Sequence, residues 1–244
     1  MHIKNVTVIL FSLGLLMIAG CKKDSTDDST DGYTCVSCKT QPDALAANDA
    51  SSKGIYKGVV IGSSGTISFN VMNDGTGITS TLVIDGTTVN LTSSITWTAG
   101  QAYVAPFTGT LNGSPVSITF TVSANGGTPS ITTSSIPGHP NASFTIVKET
   151  SSSLIECFEG TYHSSLPEDG TFNLLLSRAA KVWGADVRKN GETETDDAKG
   201  IITSDNKLVE ENGTVMGTLS NDEIKGSFND SNGRKITITG KRTL

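Results

Sequence analysis

Apolar and polar residues alternate one by one over most of the chain beyond residue 54. Ile67, Phe69 and Val71 alternate with Ser68 and Asn70. Tyr103, Ala105, Phe107, Gly109 and Leu111 share one parity, as do Val116, Ile118, Phe120 and Val122, and then Ala142, Phe144 and Ile146. A period of two gives a strand one buried face and one wet face. Asp74-Gly75, Asp85-Gly86, Asn112-Gly113 and Asn125-Gly126 separate these runs. Such pairs supply the positive φ that tight hairpins need. The pattern predicts an antiparallel meander.

The second half repeats it. Phe172, Leu174 and Leu176 alternate, then Trp183, Ala185 and Val187, then Ile224, Gly226 and Phe228, and finally Ile236 and Ile238. Local matches recur in order at a spacing of about 105 residues, the mark of an internal repeat. Gly54-Ile55-Tyr56 matches Gly160-Thr161-Tyr162, Gly65 to Phe69 matches Gly170 to Leu174, and Phe107 to Leu111 matches Val215 to Leu219. The expected organisation is all-β: residues 54–150 as β unit 1 and residues 151–244 as β unit 2. Each would be a sandwich or open barrel of six to eight strands. A Gly-x-Tyr on the first strand followed by a Gly-rich meander resembles calycin-like (lipocalin-like) lipoprotein domains over 54–244, with Tyr56 and Tyr162 where the usual motif has Trp. The resemblance implies barrels that carry a small apolar ligand.

Composition supports the class. Of 244 residues, 62 are Ser or Thr and 26 are Gly, which favour strands and turns over helices. A net charge of −6 speaks against nucleic acid as a partner. Charge also divides the two units. Residues 54–150 hold Lys57, Asp74, Asp85, Lys148 and Glu149 as their five charged side chains, whereas residues 154–244 hold 26. The first unit therefore presents a neutral, hydroxyl-rich surface, suited to glycan or protein partners.

The N-terminus reads as an address. After Lys4, the run from Val6 to Ile18 is nearly all apolar and too short for a comfortable span, which marks residues 1–20 as a signal peptide. Ile18-Ala19-Gly20-Cys21 resembles a bacterial lipobox. The resemblance implies lipidation at Cys21, and two or more acyl chains give stable anchoring where one does not. Lys22-Lys23-Asp24-Ser25-Thr26-Asp27-Asp28 resembles the tether of Bacteroidota-type lipoproteins, which implies an outer-membrane, cell-surface location, with a periplasm-facing one as the alternative. Asp24-Ser25-Thr26 and Asp28-Ser29-Thr30 resemble O-glycosylation triplets of those bacteria. Residues 21–53 carry few large apolar groups and read as a flexible tether, with a helical turn possible at 42–48.

Candidate chemistry is sparse. In an oxidising compartment Cys35, Cys38 and Cys157 predict a disulfide, either from the tether to Cys157 or locally between Cys35 and Cys38. The first would close a long loop and stabilise by ~3–5 kcal/mol. His139 lies in a turn and His163 on the wet parity of a strand, and neither adjoins an activated Ser in sequence. Gly62-Ser63-Ser64-Gly65 is one residue short of a nucleophile elbow. Glu168-Asp169 and Asp196-Asp197 read as loop charges. No cofactor or metal is expected. The stretch from Asp27 opens like a calcium loop but has Cys38 at the bidentate position. Tyr56, Trp97, Tyr103, Tyr162 and Trp183 are the aromatic ligand-binding candidates. The expectation is a lipid-anchored, non-enzymatic binding or structural module, with a carrier of a small apolar ligand as the alternative and a hydrolase behind both.

Overall fold

Alternation becomes two eight-stranded antiparallel meanders in the computed structural model, which describes residues 32–244. The expected signal peptide, lipidated Cys21 and glycosylation triplets lie outside the described residues. The first meander comprises β1 (Gly54–Ile61), β2 (Gly65–Val71), β3 (Ile78–Ile84), β4 (Thr87–Thr92), β5 (Tyr103–Leu111), β6 (Ser114–Val122), β7 (Ser130–Ser135) and β8 (Ser143–Glu149). The second comprises β9 (Glu156–Ser164), β10 (Asp169–Ser177), β11 (Val182–Lys189), β12 (Asp196–Ile202), β13 (Lys207–Glu210), β14 (Val215–Ser220), β15 (Glu223–Asn229) and β16 (Lys235–Arg242). In both, strands pair in sequence and the last strand returns to the first. β16 closes on β9 and completes a barrel, while β8 pairs β1 but not β7, which leaves one seam open. The predicted tight hairpins form at Asp85-Gly86 and Asn112-Gly113, where all four residues have positive φ, whereas Asp74-Gly75 and Asn125-Gly126 sit in longer loops where only the Gly of each pair has positive φ.

Strand register corrects one detail of the repeat. Ile67 pairs with Gly58, and its counterpart Phe172 pairs with Gly160. Gly160 therefore corresponds to Gly58 rather than Gly54, and Tyr56 corresponds to Phe158. The Gly is needed here: a Cβ at Gly160 would lie 2.3 Å from the Phe172 ring, which covers the strand at that point. The same register equates Lys148, opposite Tyr56, with Arg242, opposite Phe158.

Two runs break the alternation, Val59-Val60-Ile61 and Leu174-Leu175-Leu176, and they mark where the barrels meet. Val60, Leu174 and Leu176 point into their own barrels, whereas Val59 and Leu175 point outward into a joint core with Ile155 and Cys157. Strands buried on both faces read as continuous apolar runs. Asn173 Nδ2 donates across the seam to the Val60 carbonyl at 2.8 Å, and Arg188 donates to the Asn141 carbonyl at 3.0 Å. Residues 32–244 form one compact unit.

Residues 32–53, expected as part of a flexible tether, run as an ordered strap with a 3-10 turn at Ala46–Asn48. Polar docking replaces the missing apolar side chains. Cys35 N donates to Asp222 (2.9 Å), Asp43 N to Glu149 (2.7 Å) and Leu45 N to Asn73 (3.1 Å). Lys148 donates to the carbonyls of Asn48, Ser51 and Lys53, and Arg242 to that of Lys39. The two equivalent cations thus hold two parts of one strap. Glu149 sits at the joint, completely buried. It accepts from Asp43, from Ile155 N (3.1 Å) and from the buried Lys57 ammonium (2.5 Å).

The disulfide joins Cys35 to Cys38, so the bridge expected from the tether to Cys157 does not form. Cys157 is sealed in the seam between the barrels, where its thiol faces the Gly58 carbonyl at 3.7 Å. Cys35 is pinned instead beside Asp222 at the edge of the second barrel. Burial pushes the Cys157 thiol up to about 12, which keeps it protonated and unreactive.

Candidate ligand-binding site

Eight-stranded barrels have interiors just wide enough to be filled by side chains or to hold one small ligand. The first barrel is filled. Tyr56, Phe69, Phe107 and Phe120 lie at its centre with 0–1% exposure, and the Phe69 and Phe120 rings stack at 4.4 Å. Phe69 meets Phe107 edge-on at 4.9 Å, and Tyr56 meets Phe120 at 5.0 Å. The second barrel is hollow. Its inward positions include Ala185 and Ala198, and a cavity of about 200 Å³ remains. Phe172, Leu174, Trp183 and Leu208 form its deeper wall, and Met216 and Phe228, only half-buried, face it nearer the opening.

The mouth is polar. Glu168, Asp196, Asp230 and Arg234 line it, with Tyr162 just inside. Arg234 is held by two acids, through Nε to Asp230 at 2.6 Å and through Nη1 to Glu168 at 3.2 Å. Tyr162 OH donates to Glu168 at 3.3 Å. Burial first, and then the nearby Glu168, Glu192 and Asp196 carboxylates, push the Tyr162 phenol up to about 12. These residues stand at the strand ends around β9–β10, β11–β12 and β15–β16. The strap docks at the opposite end, through Arg242 and Asp222, and leaves the mouth clear.

The five aromatic candidates divide between the barrels. Tyr162 and Trp183 line the cavity, and Trp183 Nε1 is anchored on the Ile201 carbonyl at 3.0 Å. Tyr56, Tyr103 and Trp97 belong to the filled barrel and tie loops to it. Tyr56 OH donates to the Ser52 carbonyl (2.9 Å), Tyr103 OH to the Ile95 carbonyl (3.1 Å) and Trp97 Nε1 to Ser52 Oγ (2.8 Å). Burial raises the Tyr56 and Tyr103 phenols.

The sequence matches no protein-family model and no curated protein.

Glu168 and Asp196 read as loop charges in the sequence, and Asp230 and Arg234 do not stand out there, because charge is expected at turns and strand ends in any case. Their convergence depends on closure of the barrel. Ser63, Asp85 and His139, from three separate turns, likewise meet only through the tertiary structure, here the pairing of β8 with β1. His139 is half-buried rather than exposed. Its Nδ1 lies 3.0 Å from Ser63 Oγ, while Ser63 Oγ donates to Asp85 at 2.7 Å. In a catalytic triad the acid holds the far imidazole nitrogen and the near one takes the serine proton. Here the carboxylate takes the serine hydroxyl itself, and its other oxygen is 3.8 Å from Nε2. The Ser63 bond is the largest influence holding the Asp85 carboxyl below its usual range, and the group acts as a clasp between turns. His163 stands on the outer face paired with Asp169.

Proposed function

We propose that this protein is a lipid-anchored, non-enzymatic binding protein of the bacterial cell envelope whose second barrel takes a small, largely apolar ligand. One observation carries the reading: two barrels of one connectivity differ in that the first is filled with aromatic rings and the second keeps a cavity of about 200 Å³. A void of roughly 150 Å³ already accepts benzene, so the occupant is ring-sized rather than drug-sized. The lipobox-like Cys21 supports the anchor. The surface location follows from the resemblance of the residues after Cys21 to Bacteroidota-type tethers.

Titration calorimetry with small aromatic ligands tests the reading. Wild type is expected to bind one equivalent, and the cavity-filling pair Ala185→Leu and Ala198→Leu is expected to fold and bind none. Equal binding by the filled variant would place the ligand elsewhere. Lipid labelling of wild type against Cys21→Ser tests the anchor, and unlabelled wild type refutes it.

A second reading keeps the first barrel as the partner surface. Ser68, Asn70, Thr79 and Thr81 line a recess of about 240 Å³ beneath the strap, together with Lys39, Asp43 and Lys57. Hydroxyl and amide groups of this kind suit a glycan.

A further inference from the structure

The charge at the mouth of the second barrel selects among ring-sized ligands. The mouth and the shallow recess beside it are lined by five carboxylates, Glu168, Glu192, Glu194, Asp196 and Asp230, against two cations, Lys189 and Arg234. Both cations are already engaged. Arg234 is shared by Glu168 and Asp230, and Lys189 pairs with Glu192 at 2.8 Å. Glu194 and Asp196 have no ion pair or side-chain hydrogen bond among the described residues. Asp196 borders both the apolar cavity and the polar recess, so its carboxylate stands where the body of a bound ligand would end.

We propose that the ligand of the second barrel is an amphiphilic cation: an apolar body about the size of one aromatic ring in the cavity, and a protonated amine or quaternary ammonium at the mouth against Asp196 and Glu194. This rests on the reading of the cavity as a ligand site. A carboxylate or phosphate head would meet an excess of negative charge and, among the described residues lining the mouth, find no free cation. A neutral head would leave Asp196 and Glu194 as they are. A cationic head supplies the missing partner while its body stays out of water. Tyr162, whose hydroxyl is engaged by Glu168, presents its ring on the cavity wall, where it can also face a cation.

Three ligands with one body separate the possibilities: 2-phenylethylamine, 2-phenylethanol and 3-phenylpropionate, titrated into the whole protein at low and at high salt. The amine is expected to bind roughly fivefold more tightly than the alcohol, as partly exposed ion pairs allow, and the acid more weakly than either. The preference of amine over alcohol is expected to shrink as salt screens the mouth. In the variant Asp196→Asn with Glu194→Gln the amine is expected to fall to the affinity of the alcohol, while the alcohol is unchanged. Alcohol binding equal to or tighter than amine binding overturns the cationic head and leaves the cavity as an apolar site. An amine preference that survives the double variant overturns the assignment to these two carboxylates. Binding by none of the three overturns the cavity reading itself, and the cationic head with it.

Discussion

The two barrels share connectivity and differ in what fills them. In the first, four aromatic rings at 0–1% exposure occupy the axis, and the charged groups among its strands are few. In the second, small inward residues leave a cavity, and charge collects at its mouth. The difference separates two uses of one architecture. A filled barrel gains its stability from close packing, which tolerates neither voids nor insertions well. A hollow barrel forgoes part of that gain and keeps a shaped surface. The filled barrel here also carries much of the common scaffold, because β1 is buried on both faces against the second barrel.

The sharpest break in the comparison lies at the strap. Lys148 and Arg242 occupy equivalent positions and both hold strap carbonyls, but Arg242 is buried with Glu156 and Asp222. Arg242→Met should therefore cost about 3 kcal/mol, the low end for breaking a buried pair, since Glu156 keeps Arg178 while Asp222 loses its cation. Lys148→Met should cost distinctly less, read as the difference in urea midpoints. Core truncation should separate the barrels next. Phe107→Ala should cost roughly 3–5 kcal/mol, and Phe228→Ala, half-buried on the cavity wall, well below that. Equal losses would mean that the cavity is closed in solution. Insertion should then reverse the order. Ala105→Leu in the filled barrel should cost roughly 1–3 kcal/mol, while Ala185→Leu should be neutral or stabilising by thermal melt.

The smallest effect belongs to the seam. Burial raises the Glu159 and Asp186 carboxyls, opposed by Thr243 and Gly65 for the first and chiefly by Thr145 for the second. A carboxyl raised in the folded state costs nothing below its unfolded value, ~4. It costs stability progressively as pH rises through the folded value. Glu159→Gln with Asp186→Asn should therefore stabilise the protein at pH 7 relative to wild type. The gain should vanish near pH 4 in paired denaturation curves. A gain that persists at pH 4 would show that the carboxylates are not desolvated between the barrels.

Much of the fold was legible because alternation and Asp-Gly or Asn-Gly turns act locally. The seam carries a mark in the sequence that the reading of alternation passes over: Val59-Val60-Ile61 and Leu174-Leu175-Leu176 break the pattern because their strands are buried on both faces. The strap was not legible: its residues are polar, and its order comes from backbone hydrogen bonds to Glu149, Asn73, Lys148 and Arg242, partners remote in sequence. The cysteine pairing followed the same logic. Once Cys157 is enclosed by the joint core, Cys35 has only Cys38 within reach among the described residues.

By itself the sequence determined two antiparallel β units, their turns, and the charge contrast between them, because each depends on neighbours one or two residues apart. Only the tertiary structure decided that one barrel is filled and the other hollow. Inward residues of both halves look alike in a list. Whether they fill the axis depends on how eight strands place large and small side chains at the same height, and on which loop carboxylates the closed barrel gathers around its mouth.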